Sequence, residues 1–429
     1  MPETPQVPAD AGTCGESPLK VPPGRPLVDL RRRRLAAGCL AWPVVVAAAP
    51  PPLHEPAPRC PAWPLWDAFL ARFVQDDGRV IDDQHQTRYT TSEGQAYALF
   101  FSLVANERGR FDTLLRWTER HLAAGDLTAR LPGWRWGRHD SGEWMLVDAN
   151  PASDADLWLV YTLLEAARLW NMPSYGQLGH SLLARIEASE LVRLPGLGWM
   201  LLPAPQGFQT DTARWRFNPS YLPIHQLRYL AALRGEGPWA EITTNTLAML
   251  RAMTPHGFVP DWVEYSEHRG WHATAASPAL GSYDAIRAYL WAGLVHGADP
   301  ARPELLKGLR GMRDWLAAGN AQPPQKVRTD DGSGLGVAPP GFSAALLPYL
   351  KAHGATALLQ AQQALVVRST RQAAPAARPS LGCPASRFAT GLLGNPPTYY
   401  DQVLALFAQG ALEGRYRFSA EGALQTPWR

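Results

Sequence analysis

The sequence predicts an all-α fold: an (α/α)6 barrel, a toroid of six inner helices inside six outer ones, with minor short strands. Three observations point there. From Pro61 onward, helix-like segments alternate with loops rich in Gly, Pro and Trp. Twelve such segments follow one another without a long Gly/Ser linker, so they pair into one unit over 61–429. Strand-like alternation is scarce, with short candidates only at 199–202 and 416–418. A helical solenoid would show repeats that resemble one another, and these segments do not.

In order, the segments are 63–73, 94–105, 110–122, 157–170, 175–189, 222–233, 240–253, 285–293, 304–318, 344–352, 355–369 and 401–410. Apolar residues recur at three and four positions, as in Leu157, Val160, Tyr161 and Leu164. Several starts carry capping chemistry. Ser92-Glu93-Gly94-Gln95 reads as a capping box, with Ser92 as cap, Gln95 reaching back and Glu93 in the first helical position. Ser153-Asp154-Ala155-Asp156 repeats the pattern, with Asp154 first and Asp156 third. Ser282-Tyr283-Asp284 places Asp284 second, Asn218-Pro219-Ser220-Tyr221 puts Pro at the favoured first position, and Thr398-Tyr399-Tyr400-Asp401 is a fifth cap.

Composition narrows the function. The chain has 429 residues, of which 46% are hydrophobic and only 18% charged. Residues 1–60 hold 7 Lys+Arg and 5 Asp+Glu; with 41 and 38 in all, the remainder carries 34 and 33, a net of +1. A nearly neutral body lacks the basic surface that displaces counterions from nucleic acid. No long uncharged apolar run follows residue 60, which excludes a polytopic membrane protein. Sixteen of the seventeen Trp lie between 63 and 428. Some are core; a groove that stacks flat sugar rings would use others.

Residues 1–60 hold 13 of the 40 Pro and show no periodicity. Residues 1–30 read as disordered, or as lying ahead of the true start. Arg31-Arg32-Arg33-Arg34, the apolar stretch from Leu35 and the closing Ala47-Ala48-Ala49 read as an export signal, broken by Pro43 and short for a membrane helix. A tethered anchor is the alternative. The expected location is the periplasm or the exterior of a bacterium, with no stable membrane insertion after processing. Cys60 and Cys383 would survive processing, either as a disulfide or as two free thiols. No Cys/His cluster has zinc spacing and the eleven His do not cluster, so neither metal nor cofactor is expected.

Acids in a helix's first turn complement its dipole, worth about 0.3–1 kcal/mol, and Asp156 and Asp401 are read so. Glu93, Asp154 and Asp284 differ. They lie beside aromatics or Gly, and Trp134, Trp136 and Trp144 precede Asp154. On inner helices of a toroid their N-termini would converge at one end. Carboxylates lining a Trp-rich cleft suit glycoside hydrolysis, which needs a protonated acid for the leaving oxygen and an ionised base for water.

Three stretches carry a resemblance: Thr91-Ser92-Glu93-Gly94-Gln95-Ala96-Tyr97, Ala152-Ser153-Asp154-Ala155-Asp156-Leu157-Trp158 and Ser282-Tyr283-Asp284-Ala285-Ile286-Arg287. With Asn218-Pro219-Ser220-Tyr221, Pro260-Asp261-Trp262-Val263 and Tyr399-Tyr400-Asp401-Gln402, in that order over residues 61–420, the chain resembles the family-8 glycoside hydrolases. It resembles in particular the branch that works in the periplasm beside bacterial cellulose synthase. The resemblance implies an (α/α)6 barrel and hydrolysis of β-1,4-glucan with inversion. By position it makes Glu93 the general acid and Asp284 the general base. Asp154 matches an acid often described as a nucleophile; an inverting enzyme needs none, so Asp154 is expected to hold the scissile sugar and tune Glu93. The chain departs from the family at Val160 and Thr162, where smaller residues are expected; these positions affect packing only.

The helix dipole opposes protonation of Glu93, while Asp154 and burial under bound sugar favour it. Asp154→Asn is therefore expected to lower the proton affinity of Glu93 and move the limb of the pH–rate profile that Glu93 sets. Arg287, three residues after Asp284, is placed to pair with it. Tyr283 is a candidate to orient the attacking water. Trp134, Trp136 and Trp215 lie in loops near the motifs, and at least one is expected to stack on sugar. Tyr221 and Tyr400 are candidate wall residues, and Arg88 and Gln95 candidate partners of sugar hydroxyls. Asp261 is the rival for the base. Trp117, Trp158 and Trp170 read as core. The expected substrate is β-1,4-glucan and the expected partner the cellulose synthase export complex. Xylan, chitosan or mixed-linkage glucan as substrate, and a non-catalytic glucan-binding subunit of that machine, remain alternatives.

Overall fold

Two kinds of helix alternate along the chain, and their composition decides where each sits. Helices of the first kind are apolar round most of their circumference and buried along most of their length, as enclosed helices must be, save Ile224–Arg234, which is buried chiefly in its first turn. Those of the second bury one stripe: in Arg108–Leu122 only Phe111, Leu114, Trp117, Thr118 and Leu122 are buried, three and four residues apart. The computed structural model describes residues 63–83, 88–370 and 391–429. The leader, Cys60, Cys383 and the Pro/Ala-rich stretch 374–379 lie outside the described residues.

The helices are α1 (Pro64–Phe73), α2 (Ser92–Val104), α3 (Arg108–Leu122), α4 (Ser153–Trp170), α5 (Pro173–Ser189), α6 (Ile224–Arg234), α7 (Pro238–Met253), α8 (Ala285–Leu294), α9 (Arg302–Gly308), α10 (Gly311–Ala317), α11 (Pro340–Ala352), α12 (Thr356–Arg368) and α13 (Tyr399–Leu412). The inner ring runs α2, α4, α6, α8, α11, α13, each packed on the next. It closes where Phe100 and Phe101 of α2 meet Phe407 of α13, with ring centroids 5.5 and 4.7 Å apart. Outside it, α3 backs α2, α5 backs α4, α7 backs α6, α9 backs α8, α12 backs α11 and α1 backs α13. This is the expected (α/α)6 barrel.

Aromatic side chains plug its axis. Trp158 contacts Phe100, Phe407 and Trp291 at 4.9, 4.9 and 5.4 Å between centroids. Such pairs add about 0.5–1.5 kcal/mol each beyond area burial, so the axis is a packed core and not a pore. Trp158 and Trp117 are core, as expected. Trp170 is partly buried against Phe111.

The structure departs from expectation in two ways. The segment 304–318 is two helices, α9 and α10. The backbone of Gly257, with φ +83°, runs so close to Gly311 that a Cβ on Gly311 would sit 2.7 Å from the Gly257 carbonyl carbon, and the Gly311 N–H bonds the Gly257 carbonyl instead. Secondly, the described residues hold fourteen short strands in five small sheets. The two candidates appear as Gly198–Leu201 and Arg417–Phe418. The rest are two to five residues long, too short for alternation to register. Two of the sheets place the site. Thr90–Thr91 pairs with Arg135–Arg138 just ahead of α2, and Leu280–Gly281 pairs with Lys326–Arg328 just ahead of α8.

Asp156 has a structural role different from a dipole complement. It lies in α4, fully buried against Glu190, which follows α5. Neither carboxyl has a donor other than a proton shared between them. Burial raises the proton affinity of both groups. The native state therefore holds protons that the unfolded chain releases above about pH 4, and stability falls as pH rises from there towards the raised native values. Glu190→Gln supplies an amide donor to Asp156 at every pH. The variant is expected to lose less Tm than the wild type between pH 5 and pH 9. An equal or steeper loss would show that the pair is not what limits alkaline stability.

Candidate active site

Glu93 owes its position to a strand. Pairing of Thr90 with Trp136 and Thr91 with Arg135 keeps the chain extended through Thr91. Thr91 is therefore the cap of α2, its Oγ1 accepting from Gly94 N at 3.0 Å. This corrects the capping box: Ser92 is the first helical residue and Glu93 the second. Gln95 does not reach back or face the cleft. It is fully buried, accepts from Val80 N at 2.7 Å and donates to Gly78 O and Thr118 Oγ1, each at 3.1 Å. It ties the turn after α1 to α3 and has no group left for sugar.

The other starts are also shifted. Ala152 precedes α4 and Ser153 makes no cap bond, so Asp154 is second in its helix and Asp156 fourth. Asp154 Oδ1 accepts from Ala155 N at 2.8 Å. Asp284 is itself the residue at the cap position of α8 and makes no cap bond. Asn218 caps as expected, accepting from Ser220 N, but heads a single 3₁₀ turn, Pro219–Tyr221. Thr398 caps α13, and Asp401 accepts from Thr398 Oγ1 at 2.8 Å and Gly341 N at 2.9 Å, a structural tie to α11.

Three inner helices deliver their acids to one guanidinium. Arg287 of α8, 5% exposed, bonds Glu93 through Nη1. Its Nη2 bonds Asp284 Oδ1 at 2.9 Å and Ser220 Oγ at 3.0 Å, and lies 3.8 Å from Asp154 Oδ2. Three carboxylates around one cation leave excess negative charge in a poorly solvated place, so a proton is held. Burial raises Glu93 to about 7, Arg287 opposes the rise and Asp154 adds to it. The proton on Glu93 is donated to Asp154, whose own rise from burial is opposed by Arg287, the Ala155 N–H and that same proton. Burial also lifts Asp284 to about 6, with Arg287 opposing and Asp261 reinforcing. Asp284 is thus ionised at neutral pH and a stronger base than an ordinary carboxylate.

Asp261 is not available as the base. Its oxygens accept from Ser282 N, Ala285 N and Ser282 Oγ at 2.8, 2.8 and 2.5 Å. The aromatic candidates separate. The Trp134 carbonyl accepts from Ser92 N at 2.9 Å, which sets this half-buried residue beside Glu93's helix. Trp136 is packed on Trp117 and stacked on Trp144, with Arg79 across it at 4.5 Å, so its faces are occupied. Trp215 is buried in its strand and presents no face to a sugar, correcting that expectation. Trp262 is half-buried, stacked on Phe208 at 5.7 Å with Arg216 over its ring at 4.3 Å, and lies 6.1 Å from Tyr221, so its faces too are occupied. Tyr221 sits under Arg287 at 5.6 Å and feels all three acids. Tyr400 donates to the Tyr283 carbonyl at 2.5 Å. The Tyr283 ring is exposed, and its hydroxyl accepts from Gln325 at 3.0 Å while keeping its own proton free to donate. Arg88 is exposed in left-handed backbone (φ 44°), and its carbonyl accepts from Arg79.

Sequence reasoning missed Ser220 as a site residue: its hydroxyl holds Arg287, while its motif read as a cap. Among the described residues no group of three or more His, Cys, Asp or Glu is placed to hold a metal. A cavity of about 450 Å³ between α7 and α9 contains none of these site residues.

A toroid with carboxylates gathered at one end and aromatic walls around them is the architecture of a polysaccharide-cleaving enzyme. Residues 56–413 match the model of glycosyl hydrolases family 8, and the chain belongs to that family; it is a glycoside hydrolase. It is 47% identical over 400 residues to an endoglucanase of Xanthomonas axonopodis pv. citri, covering 93% of this chain and 97% of that protein. An endoglucanase of Salmonella typhi is 41% identical over 367 residues, covering 86% and 91%. Among solved structures, endo-1,4-D-glucanase from Vibrio fischeri ES114 superposes with a TM-score of 0.74 at 34% identity, covering 86% of this chain and 99% of that one.

Asp154→Asn tests the coupling to Glu93. A general acid at Glu93 must be protonated to act, so in that role its loss of the proton would end activity as pH rises through its pKa. Removing the neighbouring charge lowers that pKa, and the alkaline limb of kcat/KM is expected to move to lower pH. An unmoved limb with reduced activity would mean that Asp154 only positions substrate.

Proposed function

We propose that the protein is an exported endo-β-1,4-glucanase that cuts internal bonds of cellulose-like glucan with inversion, beside cellulose synthesis. The observation that carries this is Arg287 holding Glu93 and Asp284 on separate nitrogens. Glu93 holds its proton up to about pH 7, while Asp284 loses its own from about pH 6, so between the two one member is protonated and the other ionised. In this reading Glu93 protonates the glycosidic oxygen. Asp284 takes the proton of a water, and that water attacks the anomeric carbon from the opposite face. Asp154 holds the sugar at the scissile subsite, and Trp134 and Tyr400 line the chain's path. Inversion needs the two carboxyls about 6.5–9.5 Å apart, with room for water between them; a guanidinium interposed between the two keeps them from direct contact. Similarity to endoglucanases along most of both chains supports the substrate. The Arg31–Arg34 run and the apolar stretch behind it support export, and no described helix is long and apolar enough to cross a membrane.

Reducing-sugar release from carboxymethylcellulose, chitosan and xylan side by side tests the reading. Carboxymethylcellulose is expected to be the preferred polymer. Preference for either of the others would reassign the substrate, and no release from any would favour a binding subunit.

A further inference from the structure

Asp261 stands 23 residues before Asp284 in the chain, yet it binds the backbone on both sides of it, at Ser282 and at Ala285. Its Oδ1 accepts from both Ser282 N and Ala285 N, and its Oδ2 from Ser282 Oγ. The loop that carries it is anchored in turn, because Asp261 N donates to Leu280 O at 2.8 Å. Asp284, at the cap position, makes no cap bond and turns its carboxylate to Arg287.

Asp261 also contributes charge. Asp284 is faced by Arg287 from its own helix, Glu93 from α2 and Asp154 from α4. Asn218 and Tyr221 face it from the 3₁₀ turn, and Tyr400 from α13. Arg287 favours the anion, and Asp261 is the negative group that most opposes it.

We propose that Asp261 is a positioning residue for the base: it ties down the Ser282–Ala285 turn that carries Asp284, and it sets a second negative charge beside that carboxylate, opposite Arg287. The inference rests on the reading of Asp284 as general base.

Asp261→Asn separates the two roles. The amide oxygen still accepts from both N–H groups and its NH2 donates to the Ser282 hydroxyl, so the tie persists while the charge is gone. The acid limb of kcat/KM, set by the base, is expected to move down by roughly one pH unit, with KM little changed. Ser282→Ala acts in the opposite sense. It removes the hydroxyl that bonds Asp261 and leaves the Asp261 charge less compensated, so the acid limb is expected to rise. A merely structural Asp261 would lower kcat or Tm and leave both limbs in place. If Asp261→Asn fails to fold, the Ser282→Ala profile decides alone. Unmoved acid limbs, with Asp284→Asn inactive, would overturn this inference and spare the base; an active Asp284→Asn would overturn the base assignment itself.

Discussion

Exchange of Glu93 for Gln is expected to lower kcat on cello-oligosaccharides by about 10²–10⁴-fold, the range that general acid catalysis contributes. Gln has the same shape and keeps a hydrogen bond to Asp154, but it carries no transferable proton. The alkoxide leaving group of a glucan must then depart without protonation. The lost factor should depend on that leaving group. An aryl cello-oligoside with an acidic phenol needs little protonation, and its hydrolysis should be restored towards the wild-type rate. Affinity for cellopentaose by calorimetry should change little, because Glu93 meets the substrate at one oxygen. The alkaline limb near pH 7, set by the proton on Glu93, should vanish in this variant. Substantial hydrolysis of unactivated glucan by Glu93→Gln would remove Glu93 from the acid's role.

Asp284→Asn is expected to cost a comparable factor, with the opposite dependence on leaving group. Without a base, water attacks poorly whatever departs, so the activated aryl substrate should show no rescue. The acid limb near pH 6 should be lost with the group that sets it. The Asn side chain still accepts from Arg287, so the site should stay assembled. Rescue by the activated leaving group in this variant, and not in Glu93→Gln, would exchange the two assignments.

The sequence made the ring architecture legible because inner and outer helices differ in how much of their circumference is apolar, which periodicity reports. Helix boundaries failed where a neighbour set them. Thr91 became the cap of α2 because its strand partner Arg135 held it extended, and no local rule foresees a partner 44 residues away. The same holds for Asp261, which ties down the start of α8 across a loop. Glu93, Asp154 and Asp284 come together because acids at the starts of inner helices meet at one end of a toroid, and Arg287 joins them because it stands three residues after Asp284. Gln95 and Trp215 were misread for the converse reason. Proximity in sequence to a site residue does not say to which side a side chain turns, and both turn into the core. Trp136 shows the middle case, an aromatic near the cleft whose faces other side chains cover.

In the proposed reaction a water, activated by Asp284, attacks opposite the oxygen that Glu93 protonates. Proton NMR of the first product of cellopentaose cleavage, taken before mutarotation, tests this most directly. The new reducing end should appear first as the α-anomer and equilibrate towards β with time. A β-anomer present from the outset would mean retention through a covalent intermediate and would contradict the assigned roles of both carboxyls.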